Sequence, residues 1–310
     1  MYHDPVLARE VAQRLVTSPG GLYLDCTLGG GGHSRLILES LDATGRLLAL
    51  DWDEDAHTHQ QGVDQVLCRD ARVTLLRQSF GDLDRLPAPW AEARFHGILM
   101  DLGLSSHQID TPGRGFSYLH DGPLDMRMDR RVGLGAGELI DQLDEAALGR
   151  LLRVHGEVAP WRRLAQLMKA ERAAGRLDST VHVRELVEKT WGPKGSYAML
   201  SRIFQALRIA VNGELDALEK GLDEAFRRLV PGGRLAVITY HSLEDRHVKS
   251  RFRDWAGEGG EAGSRYVPAA RTPRLARLLE RRGIVPGGEE LARNPRSRSA
   301  RLRVLEREDA

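Results

Sequence analysis

Asp25-Cys26-Thr27-Leu28-Gly29-Gly30-Gly31-Gly32-His33-Ser34 lies between the apolar run Gly21-Leu22-Tyr23-Leu24 and the helix-like Arg35-Leu36-Ile37-Leu38. A strand that ends in an acid, then four glycines, then a helix start reads as a nucleotide-binding turn. Glycine there admits positive φ and leaves room for a ligand. The helix that follows points its unpaired N–H groups at the bound molecule. The next apolar run, Arg46-Leu47-Leu48-Ala49-Leu50, ends at Asp51. An acid that hydrogen-bonds ribose hydroxyls is expected at that place in a nucleotide-binding α/β sheet.

The loop must next be matched to a nucleotide. A dinucleotide fingerprint needs G-x-G-x-x-G or a final Ala. Reading from Gly29 ends on Ser34, and reading from Gly30 ends on Arg35, so both matches are poor. The alternative is D-x-(G/T)-x-G-x-G, carried by Asp25, Thr27, Gly29 and Gly31. That is the first loop of S-adenosylmethionine enzymes. Their ligand has no pyrophosphate and brings an ammonium, a carboxylate and a sulfonium. The loop alone favours adenosylmethionine over NAD and leaves both open, beside a glycine loop that binds nothing.

Outward from this loop, strands are expected near 22–25, 46–50, 73–79 and 97–101, and helices near 6–17, 33–41 and 53–61. The alternation predicts a parallel, doubly wound sheet. It stops after Asp101. Residues 104–130 read as an ordered loop, and helical periodicity follows in 144–155, 160–174, 180–190, 197–211 and 213–229. The sheet resumes with the buried strand Arg234 to Tyr240, and Ala300 to Glu306 is a late strand. Gly257 to Gly263 reads as a flexible loop. The fold class is therefore α/β, a Rossmann-like sheet carrying an inserted all-helical domain. The domains are 1–105 with 213–310, and 106–212.

With 310 residues and 41% hydrophobic content, the chain can build a real core, and 29% charged residues suit a soluble protein. Aromatics at 5% disfavour broad stacking platforms. Met1-Tyr2-His3-Asp4-Pro5 lacks the features of a signal peptide, and no apolar stretch reaches the ~18 residues that span a bilayer. Cys26 and Cys68 make no metal-type spacing, so no metal is expected and the thiols should be reduced. These readings place the chain in the cytoplasm, away from membranes. Net charge is +1, yet residues 265–310 hold twelve arginines, no lysines and six acids. This tail is either a solvated, partly disordered segment or a phosphate-contacting surface.

Two further stretches sit where ligands meet an open α/β sheet, at the carboxyl ends of strands. Gly97-Ile98-Leu99-Met100-Asp101 ends in an acid and enters the small-residue run Leu102-Gly103-Leu104-Ser105-Ser106. Asp25, Asp51 and Asp101 thus end successive strands, which core packing does not explain. Thr239-Tyr240-His241-Ser242-Leu243-Glu244-Asp245 leaves a strand and enters a helix, with Ser242 and Asp245 spaced like a cap. His241 falls at the same sheet edge as Asp101. Both are candidate catalytic residues, and His241 could equally only shape the turn.

Blocks along the whole chain carry a resemblance. They include His3-Asp4-Pro5-Val6-Leu7, the glycine loop, Asp101 through Asp110, Arg114-Gly115-Phe116-Ser117 and Asp121 through Asp129. Phe204-Gln205-Ala206-Leu207-Arg208-Ile209, His241 through Arg246 and Asn294 through Ala300 complete them. The chain resembles the bacterial 16S ribosomal RNA cytosine-N4 methyltransferases, the small-subunit methyltransferase H family. The resemblance implies an adenosylmethionine site made by Gly31, Gly32, His33, Asp51, Phe80, Asp101 and Gln108. It implies methylation of a cytosine in the decoding region of 16S rRNA, with the 30S subunit as partner. A second copy of the chain is an open alternative partner. His107, Leu104 and the segment Gly195-Ser196-Tyr197-Ala198-Met199 depart from the family pattern. The competing functions are a DNA or small-molecule methyltransferase, a noncatalytic RNA-binding factor and an NAD oxidoreductase.

Overall fold

The computed structural model describes residues 5–62, 65–258 and 273–309. The chain separates into two compact units, Met1–Gly103 with Asp216–Ala310, and Leu104–Leu215.

The first unit is built on a seven-stranded sheet. Its strands are β1 (Leu22–Asp25), β2 (Arg46–Asp51), β3 (Val73–Arg77), β4 (Phe95–Asp101), β5 (Leu229–Thr239), β6 (Ala276–Leu278) and β7 (Arg301–Arg307). They lie in the order β3-β2-β1-β4-β5-β7-β6. The first five are parallel, while β7 runs antiparallel to β5 and to β6. The strand order reverses direction between β1 and β4, the switch point where doubly wound sheets bind ligands.

Alternation along the strands splits the apolar side chains between two faces. Leu24, Leu48, Ile98, Met100, Leu235 and Val237 face one core, completed by helices Glu214–Arg227 and Ser242–Trp255. Tyr23, Leu47, Ala49, Leu99, Ala236 and Ile238 face the other, against helices α1 (Ala8–Leu15) and α2 (Gly32–Glu39). Both faces are covered, so these strands read as unbroken apolar runs.

The second unit is helical. Its helices are α3 (Ser106–Asp110), α4 (Ala136–Gln142), α5 (Glu145–Gly156), α6 (Trp161–Ala173), α7 (Thr180–Trp191) and α8 (Ser196–Asn212). Leu148, Leu152, Leu164, Met168, Val183, Val187, Leu200, Ile203 and Leu207 are buried along them. The connecting segment 111–135 is ordered by its own polar contacts. Arg114 is only 1% exposed and donates to the carbonyls of Arg127 and Met128. Asn212 accepts from Met128 N–H and donates to the Met126 carbonyl, fixing Met126 at φ 61°.

Several local expectations are corrected. Helix Ala136–Gln142 and strand Ala276–Leu278 carry no clear sequence signal; the one is short and starts on Gly135, the other has three residues. The strand expected over 73–79 stops at Arg77. The strand expected from Arg234 starts at Leu229, with a register shift opposite Phe95–Gly97 that absorbs the glycines. The helix after β5 is capped by His241, not Ser242. The loop expected over 257–263 lies mostly outside the described residues.

The arginine-rich tail is ordered where it is described, and much of its charge is spent internally. Arg303 makes two bonds to Asp245 at 2.7 and 3.0 Å, Arg277 pairs with Glu306, and Arg274 with Glu308. Arg307 donates to the carbonyls of Phe226, Arg227 and Leu229. Arg293, Arg296 and Arg298 are exposed. The described part of the tail thus forms strands β6 and β7, pinned by ion pairs, and keeps some arginines exposed.

Candidate cofactor and methyl-transfer site

Register fixes the shape of the sheet edge. Asp25 aligns with Ala49 of β2 and with Leu99 of β4. β1 therefore ends two residues before Asp51 and Asp101. These two acids stand at one level on either side of β1, about two strand spacings or ~10 Å apart. The glycine turn fills the gap between them.

Asp25 itself is fully buried. Ser34 Oγ donates to its Oδ2 at 2.6 Å, and Thr27 N–H donates to Oδ1 at 3.0 Å. Burial raises its pKa, against the lowering effect of Ser34 and His33. This acid shapes the turn from inside. Thr27 Oγ1 accepts from Asp101 N–H at 2.8 Å and so ties the turn to β4.

The glycines have different tasks. Gly29 and Gly31 adopt φ 47° and 78°, a region costly for side-chain-bearing residues. A Cβ on Gly31 would lie 2.6 Å from Gln60 Nε2 and 2.8 Å from Leu67 Cδ1. One on Gly32 would lie 3.0 Å from Pro5. Close packing of the protein on itself therefore requires Gly31 and leaves little room at Gly32, while the space at Gly29 is open to within 3.9 Å.

Asp51 keeps part of its surface open. Its Oδ2 accepts from Gly29 N–H at 2.8 Å and its Oδ1 from Asp53 N–H at 2.9 Å. Burial raises its carboxyl to about 7, although both N–H bonds favour the charged form. Each oxygen retains a lone pair for a hydroxyl donor. Phe80 lies beside Asp51's neighbour Trp52, with ring centroids 6.5 Å apart. It packs so closely on Gly221 that a Cβ there would lie 2.8 Å from the Phe80 ring carbon Cδ2 and 2.9 Å from the Phe80 carbonyl oxygen. A partly open acid, a positive-φ turn and an adjoining aromatic pair are thus gathered at this edge of the sheet. Trp52 escapes the sequence reading; its place directly after the strand-ending acid is the available signal.

On the other side of β1, Asp101 has a side chain that is 22% exposed. Tyr240 Oη donates to Asp101 Oδ1 at 2.9 Å. His33 Nδ1 lies 3.4 Å from Asp101 Oδ2, and His33 Nε2 lies 2.8 Å from the carbonyl oxygen of Val6. His33, Asp101 and Tyr240 are thus gathered at one point, and Tyr240 is a member that sequence reasoning passed over. His241, the histidine expected there, is engaged differently. Its Nδ1 accepts from Glu244 N–H at 3.4 Å and its Nε2 is 3.1 Å from Glu244 Oε1. Glu244 Oε2 returns the contact to the N–H groups of Tyr240 and His241. That reciprocal pattern is a helix cap.

Gln108 belongs to the helical unit. It is the third residue of α3, where its Oε1 accepts from Ser105 N–H at 2.9 Å and its N–H donates to Ser105 Oγ at 3.2 Å. Cys26 is buried, which pushes its thiol pKa well up, and Cys68 is exposed. Among the described residues no helix is long and apolar enough to cross a membrane.

Comparison with known proteins identifies the family. The family model described as the MraW methylase family matches residues 1–308. The chain is 43% identical over 318 residues to the ribosomal RNA small subunit methyltransferase H of Chlorobaculum parvum, covering 99% of this chain and 98% of that one. The protein of the same name from Methylibium petroleiphilum is 44% identical over 312 residues, covering 99% and 96%. Among solved structures, an rRNA methylase from Streptococcus thermophilus superposes with a TM-score of 0.41 at 12% identity, covering 97% of this chain and 94% of that one.

Proposed function

This chain belongs to the MraW methylase family, and from that premise we propose that it methylates the exocyclic N4 of one cytosine in the decoding region of 16S rRNA. It is an S-adenosylmethionine-dependent rRNA methyltransferase with a Rossmann-like sheet. The single observation that carries the substrate reading is identity above 40% along essentially the whole chain to methyltransferases of the small ribosomal subunit. The 30S subunit is the proposed form of the substrate, and the cytoplasm the proposed compartment.

When bound, adenosylmethionine supplies a methyl group already activated on sulfonium. The chain's own residues then have to place, orient and shield. Asp51 accepts from the ribose hydroxyls, and Gly29 leaves the turn open above β1. Phe80 and Trp52 offer an apolar wall to the base. Asp101 stands at the end of β4, on the other side of β1 from Asp51. Asp101 presents a carboxylate that accepts from the amino N–H of the target. This fixes the amine, whose lone pair is delocalised into the ring, for in-line attack. Gln108 is a proposed further cofactor contact. His241 caps the helix that follows β5, and its capping partner Glu244 holds the N–H of Tyr240.

The helical unit is the proposed reader of folded RNA, through shape and phosphate contact. The exposed Arg293, Arg296 and Arg298 add cations to the α/β unit. The target base must leave its stack or be unpaired, at a cost of a few kcal/mol. Transfer of labelled methyl groups to 30S subunits, free 16S rRNA and duplex DNA tests this reading. Label on RNA alone is expected. Label on DNA alone would move the substrate to another class, and no label on either would leave a binding factor.

A further inference from the structure

The carboxylate of Asp101 is gripped from both sides. Tyr240 comes from the end of β5 and donates its phenol hydrogen to Oδ1 at 2.9 Å. His33 comes from the first turn of α2 and faces Oδ2 at 3.4 Å. The protonation of His33 follows from its partners. Val6 offers a carbonyl oxygen, which can only accept, so Nε2 carries a hydrogen. The carboxylate likewise only accepts, so the contact at Nδ1 calls for a second hydrogen. The contact with Asp101 thus favours the doubly protonated ring, which is 6% exposed. Burial works against that charge, yet the hydrogen bond and charge of Asp101, with the charge of Asp25, outweigh it and raise the pKa. The Tyr240 phenol is held in its protonated, donating form in the same way: burial and the adjacent Asp101 push its pKa well up.

The Tyr240 ring also covers the chain that leaves Asp101. A Cβ at Gly103 would lie 3.2 Å from Tyr240 Cδ2, and Gly103 itself adopts φ 96°. The strand end, its carboxylate and the first residues beyond it are thus held by one aromatic side chain. Asp101 nevertheless keeps an open side. A carboxylate that is pinned by two donors and still reachable is set up to orient an incoming group, since its own rotation has been removed beforehand.

We propose that Tyr240 and His33 are positioning residues that lock Asp101 in the one orientation the methyl-transfer step uses. The proposal rests on the rRNA methyltransferase reading above and extends it to a residue in the Thr239–Tyr240–His241 run whose role the sequence left unassigned. Its consequence is a separation of effects. The clamp acts on the orientation of Asp101, so the chemical step should suffer while cofactor binding at the Asp51 side is spared.

Tyr240→Phe keeps the ring over Gly103 and removes only the hydroxyl. Under single-turnover conditions with saturating adenosylmethionine and 30S subunits, the rate should fall about 10- to 100-fold, the size of effect that misplacing a reacting group produces. The cofactor Kd should stay within about twofold. Asp101→Asn and the double variant complete a cycle. If Tyr240 works through Asp101, adding Tyr240→Phe to Asp101→Asn costs little more. A rate for Tyr240→Phe within twofold of the native chain would overturn the proposal. So would a weakened cofactor Kd with an unchanged rate, or effects that simply multiply in the double variant. The native chain is run in the same assay: if it transfers no methyl to RNA, the functional reading fails. A fully active native chain beside an unaffected Tyr240→Phe defeats the clamp alone.

Discussion

Adenosylmethionine affinity should rise with pH, and Asp51 should be the reason. Burial raises this carboxyl from 3.8 to about 7, the N–H bonds from Asp53 and Gly29 offset only part of that, and the charges of Asp53 and Asp25 add to it. A ribose diol is a stronger donor to a carboxylate than to a carboxylic acid. If the ionised form alone binds, the apparent Kd is the intrinsic value divided by the ionised fraction. With a pKa of about 7, that fraction is about 0.09 at pH 6 and about 0.9 at pH 8. Affinity should therefore improve about tenfold over this interval, or about 1.4 kcal/mol. Calorimetric titration in buffers of different ionisation enthalpy measures both the Kd and the proton released, which should approach one at pH 6. Asp51→Asn should bind more weakly by about 1–3 kcal/mol through loss of charged hydrogen bonds. It should also lose the Asp51 share of the pH slope. The amino group of the cofactor titrates against both proteins, so it cancels in the comparison. Identical pH slopes and identical proton release in the two proteins would refute the ribose contact.

Four further outcomes are expected. Because the Asp51 carboxyl titrates at 3.8 when unfolded and about 7 when folded, the ligand-free chain should lose stability as pH rises through that interval and level off above it; Asp51→Asn should flatten the slope in urea melts. Gly31→Ala places a Cβ against Gln60 and Leu67 at φ 78° and should destabilise by about 1–3 kcal/mol, measured by chemical denaturation. Replacing the exposed Arg293 and Arg298 with Gln should flatten the salt dependence of 30S binding by roughly 0.7–0.9 for each phosphate no longer neutralised, without lowering the melting temperature. Arg303→Gln should lower that temperature instead, since it strips Asp245 of a bidentate partner.

The core of the sheet is readable because its strands are covered on both faces and three of them, β1, β2 and β4, end in an acid. Leu22–Asp25, Arg46–Asp51 and Phe95–Asp101 announce themselves as apolar runs followed by a turn. The long helices of the inserted segment are readable by period, down to one or two residues at their ends. Elements too short to show a period escape, such as Ala276–Leu278 and Ala136–Gln142. The candidate site is legible where it depends on local order, at the glycine turn and Asp51. It is not legible where it depends on contacts across the sheet. Tyr240 and Asp101 are 139 residues apart, and only strand pairing brings them together. Without that pairing, His241 looks like the neighbour of Asp101. A Ser-x-x-Asp spacing also looks like the cap, while His241 and Glu244 form it. The tail arginines count as charge in the sequence, and only the fold reveals that Asp245, Glu306 and Glu308 neutralise several of them.

The most direct test is to map the modification itself. 30S subunits lacking the methyl group are treated with the native chain and adenosylmethionine, the 16S rRNA is digested, and the fragments are sequenced by mass and their nucleosides compared with standards. One methyl group on the exocyclic nitrogen of a single cytosine in the decoding region is the expected result, abolished when Asp51→Asn and Asp101→Asn are combined. A methyl group on a ring carbon, on another base or at scattered positions would contradict the assignment of this site to cytosine-N4 transfer.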